Sequence, residues 1–107
     1  MSIRCVKYRA FERNTLKAFV DLELSRVGII VRECAWHRHP DGKEWIGLPA
    51  KPYEKNGERS WLPIVEFVEG NKEARRQFQA KALEAVHSAA AGRDDDLEEL
   101  LTSKNNR

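Results

Sequence analysis

Residues 15–24 alternate in character with a period of two. Leu16, Ala18, Val20, Leu22 and Leu24 fall on one side, and Lys17, Phe19, Asp21 and Glu23 on the other. Successive side chains of a strand point to opposite faces, so this pattern predicts a strand with one face on a core. Phe19 interrupts the polar side, and an apolar residue there meets a partner or sits under a loop. Residues 3–11 mix β-formers with Arg4, Lys7 and Arg9 and read as a preceding strand that ends at Arg13-Asn14. After a short turn over residues 25–28, residues 29–37 complete a hairpin. Its two faces are less distinct. Ile30, Cys34 and Trp36 alternate with Ile29, Val31 and Ala35, with Arg32 on the first side and Glu33 on the second. A strand apolar on both sides is commonly covered on both.

Pro40-Asp41-Gly42 is a turn, because Pro presets φ and Gly accepts a positive one. Residues 45–48 follow as a fourth strand, stopped by Pro49. Residues 50–60 read as a loop with a turn at Asn56-Gly57, and residues 61–68 as a fifth strand whose Pro63 places it at an edge. Asn71 is the N-cap of a helix. Ala74, Phe78, Ala82, Ala85 and Ala89 form its apolar stripe, flanked by Leu83 and Val86. Gly92 is a natural stop. The expected fold is therefore α+β: a curved antiparallel sheet of four to five strands, then one C-terminal amphipathic helix, in a dimer. Residues 1–92 form the domain. Residues 93–107 are an acidic tail, expected to be mobile.

Charge adds an asymmetry to this outline. Residues 1–60 carry 12 Lys and Arg against 8 Asp and Glu, whereas residues 61–107 carry 7 against 9. A basic sheet half suits a polyanion as well as it suits a solvated surface. No apolar run is long enough for a membrane span, and residues 1–10 lack the unbroken apolar stretch of a signal peptide. With only Cys5 and Cys34, no disulfide framework is expected, and the chain reads as cytoplasmic with two core thiols.

The sequence contains no glycine-rich phosphate loop, nucleophile elbow or paired zinc-ligand motif, so neither enzymatic activity nor a cofactor is expected. Cys34, His37 and His39 are three ligand types in six residues, but Cys34 and His37 would face opposite ways on a strand. Asp94, Asp95 and Asp96 read as a solvated acidic run. The aromatic and basic residues suggest more. Trp36, Trp45, Tyr53 and Trp61 lie in sequence among Arg32, Arg38, Lys43, Lys51, Lys55 and Arg59. Single strands are held by a basic groove with aromatic faces for stacking. Large aromatics are also the usual filling of a small core. Arg75 and Arg76 sit near the helix N-terminus, where the macrodipole disfavours cations, and suggest charge kept for binding.

Several short stretches carry a resemblance. They are Leu16-Lys17-Ala18 opening a long strand, the hairpin partner from Gly28 to Trp36, Leu48-Pro49-Ala50-Lys51, Asn56-Gly57, Pro63-Ile64 and the helix over 74–86. Together they resemble the septation protein SpoVG family over about residues 3–87. The resemblance implies a small homodimer, joined through its sheet, that binds DNA or RNA as a regulator. It points to Lys51 and to Arg75, Arg76 and Lys81 as binding residues. The layout also looks like the PC4 type of single-stranded DNA-binding coactivator, with Arg32-Glu33 and Pro40-Asp41-Gly42 in the matching hairpin. The expectation is thus a dimeric binder of single-stranded DNA or RNA using Arg32, Lys43, Trp45, Lys51, Tyr53, Lys55, Arg59, Trp61, Arg75 and Arg76. The rival expectation is a protein–protein adaptor that docks through an exposed strand and the Leu97, Leu100 and Leu101 side chains of the tail.

Overall fold

The computed structural model describes residues 2–103, with side chains through residue 92. The chain is α+β, with six antiparallel strands in two sheets followed by one helix. Strands β1 (Ile3–Arg13), β2 (Leu16–Leu24), β3 (Ile29–Arg38) and β4 (Glu44–Gly47) pair in chain order as one sheet. Among the described residues β5 (Ala50–Lys55) and β6 (Glu58–Pro63) pair only with each other. Helix α1 (Lys72–Ser103) packs across one face of the larger sheet.

The core lies between that sheet and the helix. Ala18, Val20 and Leu22 supply the inner side of β2, as their alternation predicts, and Leu24 packs at its edge. Leu16 departs from this set, because the ladder shifts between Leu16 and Ala18 and pairs Leu16 with His37. Among the described residues of α1, Phe78, Ala82 and Val86 are the buried positions, one every four residues. Asn71 caps the helix, its Oδ1 accepting the Ala74 amide at 3.1 Å. Gly92 does not stop it, since the helical backbone runs on to Ser103. The side chains of the acidic segment, residues 104–107 and the expected mobility of the tail lie outside the described residues.

The ambiguity of the third strand is resolved by a bulge. Leu22 pairs with Val31 but Val20 pairs with Cys34, so Arg32 and Glu33 together oppose Asp21. The extra residue reverses the alternation, and Val31 and Cys34 both turn inward and are buried. Glu33 takes a left-handed φ of 59°, uncommon for a residue with a side chain. β1 shifts at the same level. Cys5 pairs with Leu22 and Lys7 with Asp21, leaving Val6 extra, so Cys5 and Tyr8 both face the core. Bulges bend a sheet, and here two of them flank one residue of β2. Asp21 is the buried charged residue at that point, with 7% exposure. Its carboxylate accepts the Glu33 amide at 3.1 Å and the Arg32 guanidinium at 2.9 Å.

The stretch expected to be a loop is a hairpin arm. Asn56 and Gly57 have φ of 54° and 79°, the two positive values of a type I′ turn, whose twist matches that of the flanking strands. The last strand accordingly starts earlier than predicted and ends at Pro63, with residues 64–68 outside it. Phe67 then returns to the core and meets Phe78 edge-on at 5.4 Å. The outer edge of β4 is covered by Gln79, whose amide donates to the Ile46 carbonyl at 2.9 Å and accepts the Ile46 amide at 2.8 Å. The outer edge of β1 carries no strand among the described residues.

Asp21→Ala strands the Glu33 amide and releases Arg32. It is expected to lower the unfolding free energy by about 1–3 kcal/mol in urea titration, and a loss below about 0.5 kcal/mol would show that the bulge holds without its carboxylate.

Candidate nucleic-acid interface

The structure distributes the expected binding residues over three places. The arm carries Lys51, Tyr53, Lys55, Arg59 and Trp61, all exposed. Its cross-strand pairs divide them, because residues directly opposite share a face. Tyr53 pairs with Ser60, Lys51 with Leu62 and Lys55 with Glu58, whereas Trp61 pairs with Pro52 and Arg59 with Glu54. Tyr53 and Trp61 thus occupy opposite faces, and the arm is no single platform. Its tip does gather Tyr53, Lys55, Glu58 and Arg59 around one shallow cleft of about 350 Å³. Lys51, Lys55 and Arg59 make no ion pair among the described residues, although Glu54 and Glu58 lie on neighbouring positions.

The second place is β3 and β4. Trp45 lies on the sheet face opposite the helix, stacked on His37 with ring centres 5.0 Å apart and planes within 8°. Lys43 is exposed in the preceding turn, where its amide donates to Asp41 at 2.8 Å. Arg32 is held by Asp21 and serves the bulge. The third place is the start of α1. Arg76 is bound by Glu73 at 2.6 Å, and that contact together with a hydrogen bond from Gln77 holds the Glu73 carboxyl below its ordinary range. Arg75 is exposed and carries no ion pair among the described residues.

Trp36, grouped with the other tryptophans in sequence, points inward instead. It packs against Tyr8 and edge-on to His87, with ring centres 5.7 Å apart in the second pair. Its Nε1 is buried without a hydrogen-bond partner among the described residues. Cys34 lies in the core and His37 on the opposite face, so the Cys34, His37 and His39 set does not converge. Among the described residues no three His, Cys, Asp or Glu side chains cluster as metal ligands. Both thiols are free, and burial is the main cause that pushes the Cys34 pKa up to about 12 and also raises that of Cys5.

The helix-free face holds residues that the hydrophobic pattern alone does not single out. Arg9, Phe19, Ala35 and Gly47 form one cross-strand row from β1 to β4. Phe11 packs on Phe19 with centres 5.7 Å apart, and the Arg9 guanidinium sits 5.3 Å from the centre of the Phe19 ring. Most cations of this sheet are balanced: Arg4 pairs with Glu23, Arg9 with Glu33, Lys17 with Glu12 and Arg38 with Glu44. Phe19, which breaks the alternation of β2, is the sequence signal for this face; Arg9 and Gly47 give none.

The fold and these surfaces define an α+β protein with a two-faced sheet, a projecting basic arm and a long C-terminal helix. Comparison with family models, characterised proteins and solved structures gave no match. Among the described residues no helix is long and apolar enough to cross a membrane.

His37 is partly buried, which lowers its pKa, and Thr15 Oγ1 lies 2.9 Å from its Nδ1. The folded state therefore favours the neutral ring. As pH falls below the ordinary value of about 6.5, the unfolded chain takes up the proton first and stability declines. NMR titration should place His37 below that value, and stability should lose this part of its acid dependence in His37→Gln; a midpoint at or above about 6.5 contradicts the burial.

Proposed function

We propose that this protein binds single-stranded DNA or RNA, with the β5–β6 arm supplying the phosphate contacts. The observation that carries the reading is the arm tip, where Tyr53, Lys55 and Arg59 line one exposed cleft and neither cation is committed to an ion pair among the described residues. A cation held by a carboxylate must give up that partner to take a phosphate, whereas a free one need only release water and counterions. Lys51, on the Tyr53 face, extends this charge along the arm, and Trp61, 64% exposed on the other face, is a second ring available for stacking. Arg75 and Lys43 are further cations without an ion pair among the described residues, away from the arm. The edge of β1, which carries no strand among the described residues, supports association of two copies by strand pairing, in line with the dimer suggested by the sequence.

The adaptor reading has an observation of its own. Leu62, Ile64, Val65 and Val68 are exposed in succession, Val68 to 78%. Exposed apolar surface beyond scattered single residues marks protein contacts. That reading requires no polyanion affinity at all.

Titration of a labelled oligothymidylate and oligouridylate decides between the two. Three phosphate contacts on a single strand give a log–log salt slope of about −2, so affinity should fall about 20-fold between roughly 50 and 200 mM salt. The triple variant Lys51→Ala, Lys55→Ala, Arg59→Ala should lose most of that slope while melting as the parent does. No binding at about 50 mM salt, or binding indifferent to salt, refutes the proposal.

A further inference from the structure

Gly47 ends β4 in a place that does not call for glycine. Its φ is not in the left-handed region, unlike those of Gly28, Gly42, Gly57 and Gly70. A Cβ built there would come no nearer than 3.8 Å to its surroundings, an ordinary contact, the nearest atoms belonging to Ala35 and His37. Neither backbone conformation nor crowding within the chain therefore excludes a side chain. A glycine inside a sheet also costs stability relative to residues that pack. A remaining physical reason for glycine in a strand is the close approach of something from outside.

The surroundings indicate what approaches. Ala35 is the cross-strand partner of Gly47, so the two smallest side chains of the helix-free face lie side by side. Phe19 stands on the next strand, as the partner of Ala35. The His37–Trp45 stack is the neighbouring cross-strand pair on the same face, and Trp45 is 37% exposed. By this register two small residues form a floor with rings on two sides, the outline of a shallow slot. The cation beside it is balanced, since Arg9 next to Phe19 pairs with Glu33, while the Arg38–Glu44 pair lies on the helix side, where Glu44 also meets His87. A neutral, ring-walled slot suits a flat heteroaromatic ring better than it suits a phosphate or an acidic peptide.

We infer that the Ala35–Gly47 floor, with Phe19 and the His37–Trp45 pair, is a seat for one base of the bound single strand. The inference rests on the nucleic-acid reading and adds to it a division of labour. The arm takes phosphates in a salt-dependent way, and the sheet takes a base in a way that salt barely touches. It also accounts for a neutral slot in a protein with an open basic arm.

The test compares two probes of equal length, an oligothymidylate and an abasic phosphodiester strand that has the same charges and no bases. Gly47→Val fills the floor from β4, and Ala35→Val fills it from β3 with a residue suited to strands. Each variant should weaken oligothymidylate binding about tenfold, the loss of one stacked base, leave abasic binding and the salt slope unchanged, and melt within a few degrees of the parent. Should Gly47→Val not fold, Ala35→Val alone decides the matter. Salt-dependent binding by the parent with unchanged oligothymidylate affinity in the folded variants overturns the seat and leaves the arm proposal standing. Equal losses for both probes overturn it as well. Absence of binding by the parent removes both readings together.

Discussion

One carboxylate sets the geometry of the whole sheet. Asp21 lies in a central strand, largely out of water, and accepts both the backbone amide and the guanidinium of the two-residue step opposite it. A buried charge is tolerated only with partners of this kind. Its presence makes the bulge at Arg32-Glu33 the state in which the carboxylate and the Glu33 amide are both satisfied. The bulge then decides which side chains of β3 face the helix. Without the extra residue, Val31 and Cys34 would lie on opposite faces, and the core and the open face would exchange members over half the strand. The inward place of Trp36 and the outward places of Ala35 and His37 both follow from it.

The division of the surface follows from this geometry. On the main sheet, ion pairs neutralise most of the cations, and the helix-free face carries rings, with Phe11 and Trp45 exposed and Phe19 and His37 half-buried beside them. The arm is the reverse. It has cations outside any ion pair among the described residues, one ring on each face and little covering from the rest of the chain. A single strand that used both surfaces would meet stacking and charge in different places. Groups that neutralise phosphates give affinity and salt dependence, while groups that meet bases give a contribution that salt screens weakly.

The parts of this arrangement differ in how far the sequence discloses them. The alternation of β2 and the helical spacing of α1 are direct prints of geometry: Ala18, Val20 and Leu22 face the core as the pattern puts them while Leu16 does not, and the fully buried line among the described residues of α1 runs through Phe78, Ala82 and Val86 rather than on to Ala85 and Ala89. The face of β3 is not legible, because a bulge breaks the very period from which a face is read; Arg32 and Glu33 look like two ordinary polar positions. The arm is half legible. Asn56-Gly57 announces the turn, but Lys51, Glu54, Lys55, Glu58 and Arg59 put charge on both faces of its strands, so no alternation marks them. Gly92 shows the limit of a local signal, since glycine permits a helix end without requiring one. Among the site residues, the basic and aromatic character of 43–61 is plain from composition, whereas the separation of Tyr53 from Trp61 depends on register. Gly47 falls inside the fourth strand read from the sequence and carries no signal of its own, since its meaning depends on knowing that Ala35 lies beside it.

The claim that a carboxylate-held bulge sets the two faces of the sheet is tested most directly by the nuclear Overhauser contacts of the Ala35 methyl group. Contacts to the Phe19 ring and to the Gly47 α-protons are predicted. Contacts to Phe78 or Val86 instead would mean that β3 presents its other side to the helix, and would contradict the claim at its root.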